Sequence, residues 1–167
     1  SNNIPRISFH TLDLFRYYVE GSRIPTNKWT HLAGVWDQMG NSLALYVDGV
    51  FVQAQRVSEE ALSSRLYASA SPATIGVSPD GSFVNNVLLD EVRIWNVART
   101  QSQIQTDINT QITTPQSALI GRWALNEAAG TVVYATAGTT INGTIVGTAV
   151  SNWNRTGCAP FNLSVSP

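Results

Sequence analysis

Residues 43–55, LALYVDGVFVQAQ, constrain the fold more than any other part of the chain. Two alternating apolar runs flank Asp48-Gly49, and a two-residue Asp-Gly loop supplies the positive φ angles of a type I′ turn. The segment reads as an antiparallel hairpin with Val47 opposite Val50, Tyr46 opposite Phe51 and Leu45 opposite Val52. Side chains alternate across a strand, so Leu43, Leu45, Val47, Val50, Val52 and Ala54 share the expected core face. Ala44, Tyr46, Phe51, Gln53 and Gln55 share the other, where an aromatic pair grades into amides.

Strand-like stretches recur on either side of this hairpin. Residues 6–10, 14–19 and 29–36 precede it, and 73–77 and 87–95 follow. One helix stands out over residues 101–110: Thr100 and Gln103 form a capping box, and Ile104, Ile108 and Ile112 recur at spacing four. Gln, Thr and Pro at 113–117 mark a linker, after which strand-like composition resumes. Many short strands with one short amphipathic helix predict an all-β fold, a two-sheet antiparallel jelly-roll sandwich. Residues 1–112 form the body of that sandwich. Residues 118–160 form a tail segment that completes it, because Leu119, Gly121, Trp123 and Leu125 fall on one face that needs a partner surface. Residues 161–167 are a C-terminal linker.

Composition removes several function classes. Only 13% of the 167 residues are charged and the net charge is −1, so no basic stripe awaits a phosphate backbone, and nucleic acid is excluded as a partner. Solubility comes instead from 16 Ser, 16 Thr, 13 Asn and 8 Gln, a surface that suits a secreted or cell-surface protein. A single cysteine, Cys158, precludes an internal disulfide, and two histidines preclude a histidine-rich metal centre. Residues 128–154 carry no charge, yet Thr, Gly and Asn interrupt them too often for membrane insertion. Three N-x-S/T sequons, at Asn142, Asn154 and Asn162, are no more than the composition delivers by chance.

The chain contains no nucleophile elbow, metalloprotease helix, Walker loop or dinucleotide fingerprint. Glycoside hydrolysis requires two convergent carboxylates. Glu59-Glu60 lies in a helical or irregular stretch, and Asp90-Glu91 sits on a strand, where neighbours point apart, so no enzyme is expected. Alternation places Asp90 with Leu88, Val92 and Ile94 on the inward face. An inward carboxylate is either a ligand for a hard cation, Ca²⁺ first, or is bonded to loop N–H, Arg or Trp donors. Trp36, Tyr46, Phe51 and Trp95 are the candidate ligand-binding residues. They either stack on apolar sugar faces or pack beneath loops, the tail or a neighbouring domain. Trp29 and His31 read as core residues.

Residues 28–37 (KWTHLAGVWD), 43–49 (LALYVDG), 74–76 (TIG) and 89–104 (LDEVRIWNVARTQSQI) resemble the laminin G-like, concanavalin A-like lectin/glucanase jelly-roll family of bacterial multidomain surface proteins. Residues 119–146 resemble a segment that opens or follows such domains, with Asn126 and Ala135 standing where relatives place Asp. The resemblance implies a binding role toward glycan or protein ligands in carbohydrate recognition or cell adhesion. It aligns Asp90 with a position that helps hold Ca²⁺, with one carboxylate partner lost at Ala135. Family domains also contribute strands ahead of residues 6–10. Either the tail supplies strands in their place or the chain is cut from a longer parent, and uncovered edges invite self-association.

Overall fold

In the computed structural model Asp48 and Gly49 have φ angles of 49° and 75°, the left-handed pair a type I′ turn demands. They close a hairpin between β4 (Ser42–Val47) and β5 (Val50–Arg56). The Asp48 carboxylate also accepts from the His31 backbone N–H at 2.8 Å, and Asp48 N–H donates to the His31 carbonyl at 2.8 Å. The turn is thereby fastened to the chain just ahead of β3 (Leu32–Asp37).

The structure describes residues 3–10, 16–56, 73–75, 87–127, 129–138 and 141–145. The remaining elements are β1 (Arg6–His10), β2 (Arg16–Glu20), β6 (Val92–Trp95), α1 (Gln101–Asp107), β7 (Leu119–Trp123), β8 (Val132–Val133), β9 (Ala135–Gly138) and β10 (Gly143–Thr144). Among the described residues the sheets are β1-β2, β3-β4-β5, β6-β7-β9 and β10-β8, each with antiparallel pairing. The fold is mostly β, with one short helix among the described residues, and its antiparallel pairings are those of a β-sandwich. The described residues divide into two compact units, one from residues 3–56 and 97–111, the other from residues 73–96 and 112–145.

In the first unit the hairpin register departs from the sequence reading. Val47 faces Val50 and Tyr46 faces Phe51, but a bulge at Leu45/Tyr46 then sets Leu45 opposite Gln53 and Leu43 opposite Gln55. A bulge places two residues against one and reverses the parity of everything beyond it. Val52 and Ala54 therefore do not join the core, and residues 50–55 are all exposed. The core is made instead by Val19, Leu43 and Leu45, with Ile7, Phe9, Trp36 and Val47 packed around them. Ile7 lies directly over Gly34, where a built Cβ would overlap its side chain, so the missing side chain at 34 sets how closely β1 approaches.

The helix begins as predicted. The Thr100 hydroxyl accepts from Gln103 N–H at 3.3 Å and the Gln103 side chain accepts from Thr100 N–H at 3.0 Å. Ile104 and Ile108 are buried, and Gln105 Nε2 donates to the Gly49 carbonyl at 3.1 Å, seating α1 against the hairpin turn. The helix stops at Asp107 rather than 110, and Ile112 enters the core of the second unit with Leu119, Ala137 and Trp95. β6 starts at Val92 rather than 87 because Glu91 has φ 55°, which ends any extended run before it. Residues 73–75 are not strand; the rest of that expected element lies outside the described residues. Trp29 and His31 are half-buried ahead of β3 and do not join the core cluster.

β7 of the tail segment lies between β6 and β9. Trp123 is buried as expected; its indole folds over Gly121 and its Nε1 donates to the Ile141 carbonyl at 2.9 Å.

Gly49→Ala is expected to cost about 1–2 kcal/mol, because a Cβ is penalised at positive φ and would press on Gln105 Cγ at 3.1 Å. Urea unfolding checks it: a lower midpoint at unchanged slope is expected.

Candidate functional site

The four candidate aromatic residues do not form one cluster on one face. Tyr46 and Phe51 do come together: their rings meet edge to face, with centroids 5.7 Å apart and planes at 70°. The hairpin turn fixes this pairing, since only residues between the turn and the bulge keep the original register. Phe51 is 46% exposed and Tyr46 is half-buried. Trp36 pairs across the ladder with Leu43 and so points to the opposite face, where it packs on the core with its ring 4.7 Å from that of Phe9. Trp95 belongs to the second unit and packs against Ile112, Leu119 and Ala137.

Asp90 is half-buried, and its Oδ1 accepts from the Glu91 backbone N–H at 2.9 Å. Period-two alternation does not reach it, because the left-handed Glu91 stands between Asp90 and β6. The inward carboxylate of this region is Glu91. Its Oε2 accepts from Arg122 Nε at 2.8 Å and from Arg93 Nη2 at 3.0 Å, and its Oε1 accepts from Arg122 Nη2. Arg122 Nη1 also donates to Thr136 Oγ1 at 2.7 Å, and Thr136 donates back to the Arg122 carbonyl at 3.3 Å. Arg122 is 1% exposed. Residues from β6, β7, β9 and the chain before β6 are thus joined in one network, with Arg93 and Arg122 on the Glu91 carboxylate and Thr136 on Arg122.

Burial pushes the Glu91 carboxyl up; hydrogen bonds and charge from Arg122 and Arg93 outweigh it and hold it below the usual carboxylate range. Sequence reading missed this network. Its signal was present: Arg122 is a lone charge in the strand segment LIGRW, and Glu91 and Arg93 are two apart. Among the described residues no three His, Cys, Asp or Glu side chains converge. Glu91 is committed to two guanidinium groups. Glu59 and Glu60 lie outside the described residues.

The chain belongs to the concanavalin A-like lectin/glucanases superfamily, whose sequence profile matches residues 1–105. Among solved structures it is similar to a candidate carbohydrate-binding protein from Bacteroides ovatus, with a TM-score of 0.57 and 24% identity over 78% of this chain. The chain spans 37% of that protein's length, and the likeness is one of fold. An S-layer domain-containing protein from Clostridium thermocellum is a more distant match, with a TM-score of 0.32 and 21% identity over 55% of this chain and 44% of its own. No curated protein matches the sequence. Among the described residues no helix is long and apolar enough to cross a membrane.

Removing the carboxylate strands the buried Arg122 guanidinium, so Glu91→Ala is expected to cost about 3–5 kcal/mol. Glu91→Gln carries a pH signature. A depressed folded-state pKa means the ion pair contributes fully above the unfolded carboxylate value of about 4.3 and loses that contribution as pH falls through the folded value. The difference in Tm between native protein and Glu91→Gln is expected to be largest near neutral pH and to shrink on acidification. Thermal melts across acid pH check it.

Proposed function

We propose that the domain is a non-catalytic carbohydrate-binding module of a multidomain secreted or cell-surface protein, with Tyr46 and Phe51 as its sugar-stacking surface. The observation that carries the reading is the edge-to-face pair itself: two rings fixed by the hairpin turn, with Phe51 46% exposed. A pyranose presents a flat C–H face that an aromatic ring covers with apolar area, and an exposed aromatic patch marks a binding surface. Membership of a lectin/glucanase superfamily supports the sugar, and the candidate carbohydrate-binding protein of similar fold points the same way. Glu91 supports the absence of catalysis, since a carboxylate clamped by two arginines is a poor proton carrier.

A second reading, an assembly unit that pairs sheet edges with another copy or a neighbouring domain, draws on one observation. Among the described residues β5 is an edge strand, with Val50, Phe51 and Val52 exposed. Light scattering separates the two: a monomer is expected for a glycan-binding module, and a dimer lost on Val52→Lys would favour assembly. Ca²⁺ at Asp90 is a further proposal, and thermal melts in Ca²⁺ and in EDTA test it: a higher Tm in Ca²⁺ supports it, and coincident melts overturn it.

Affinity electrophoresis against a panel of polysaccharides tests the glycan reading. Retardation by at least one polysaccharide is expected. Phe51→Ala is expected to weaken it by about tenfold, equivalent to about 1.4 kcal/mol, with an unchanged melt because the ring is half outside. No retardation by any polysaccharide, or a Phe51→Ala variant that binds as tightly as native protein, would overturn it.

A further inference from the structure

β1 and β2 pair with Arg6 opposite Glu20, Ser8 opposite Tyr18 and His10 opposite Arg16. Ile7, Phe9, Tyr17 and Val19 take the other parity, and Ile7, Phe9 and Val19 build the core of the first unit. Arg6, Ser8, Arg16 and Tyr18 are consequently displayed outward, and all four are exposed. The Tyr18 ring, 47% exposed, holds two guanidinium groups: Arg6 Cζ lies 5.1 Å from its centroid and Arg16 Cζ 5.9 Å. The two arginines differ in one respect. Arg6 Nε donates to Glu20 at 2.6 Å and its charge is answered there. Among the described residues no carboxylate pairs with Arg16, and its guanidinium lies against the Tyr18 ring.

An aromatic ring orients a guanidinium and leaves its N–H fork directed outward, so ordering has already been achieved before any anion arrives. The fork matches the two oxygens of a carboxylate or a sulfate ester. Hydroxyls of Ser8 and Tyr18 lie on the same displayed face and suit the hydroxyls of a sugar. This surface is distinct from the Tyr46–Phe51 pair. β1-β2 covers the Leu43 and Leu45 side of β4, and Tyr46 takes the opposite parity.

We propose that the outward face of β1-β2 is a binding site for acidic polysaccharide, with Arg16 as the group that pairs with a sugar carboxylate or sulfate and Tyr18 as the residue that positions it. One exposed charge pair is weak and salt-screened. The fitting ligand is therefore a polymer that presents its charges repeatedly rather than a free monosaccharide.

Affinity electrophoresis at low salt with polygalacturonate, dextran sulfate and uncharged dextran tests the proposal on the full chain. At least one acidic polymer is expected to retard the protein while dextran does not. Retardation by polygalacturonate identifies a carboxylate ligand, and retardation by dextran sulfate alone identifies a sulfate ester. Arg16→Ala is expected to weaken binding at least about threefold, the scale of one exposed pair. Glu20→Gln, which releases Arg6, is expected to strengthen it. Phe51→Ala is expected to leave it unchanged, which keeps this site's failure apart from failure of the hairpin surface. Acidic polymers that bind no better than dextran would overturn the proposal. So would an Arg16→Ala variant that binds as native protein does, a Glu20→Gln variant that does not bind more tightly, or loss on Phe51→Ala.

Discussion

A guanidinium group that is almost wholly removed from water dictates much of the second unit. Arg122 sits at the centre of β7, with β6 on one side and β9 on the other. Its charge is tolerable only because Glu91 meets two of its nitrogens and Thr136 a third. That requirement propagates. Glu91 must turn its carboxylate inward, which it does with a left-handed backbone, and this ends β6 at Val92 and leaves Asp90 in the chain ahead of the strand. Arg93 joins the same carboxylate, so one acid answers two bases. Glu91 is thereby a structural tie between β6 and β7.

The first unit rests on a different constraint, the tight turn at Asp48-Gly49. The turn sets Tyr46 beside Phe51, the bulge just beyond it returns β5 to solvent, and α1 is seated against the turn through Gln105. The inner face then takes Val19, Leu43, Leu45 and Trp36, while β1-β2 covers them and displays Arg6, Arg16 and Tyr18. Each layer buries one face and presents the other. The hairpin presents the Tyr46–Phe51 ring pair, and β1-β2 presents a tyrosine ring flanked by two arginines.

Legibility of the sequence follows the range of the interaction that decides each feature. The hairpin turn and the capping box at Thr100 and Gln103 depend on neighbours within a few residues, and the residues themselves declare them. The bulge in β5 was hidden, because LALYV and VFVQAQ alternate equally well in either register. Trp36 was misplaced toward the ligand face because an aromatic side chain on a strand carries no mark of which sheet will cover it; Leu43, 7 residues later in the chain and opposite it in the ladder, decides. Asp90 and Glu91 show the same limit: two adjacent acids differ only in which of them finds Arg122, a partner 31 residues beyond Glu91.

The central claim is that the hairpin ring pair, and not Trp36 or Trp95, receives sugar. Titration of the isotopically labelled protein with an oligosaccharide that retards it, followed by amide and aromatic NMR shifts, tests this directly. The account predicts shift changes at Tyr46 and Phe51, at the ladder neighbour Ala33 and at the adjacent Val47, with Trp36 and Trp95 indole signals unmoved and the oligosaccharide left intact. Changes centred on Trp36 or Trp95 with Tyr46 and Phe51 silent, or cleavage of the oligosaccharide, would contradict it.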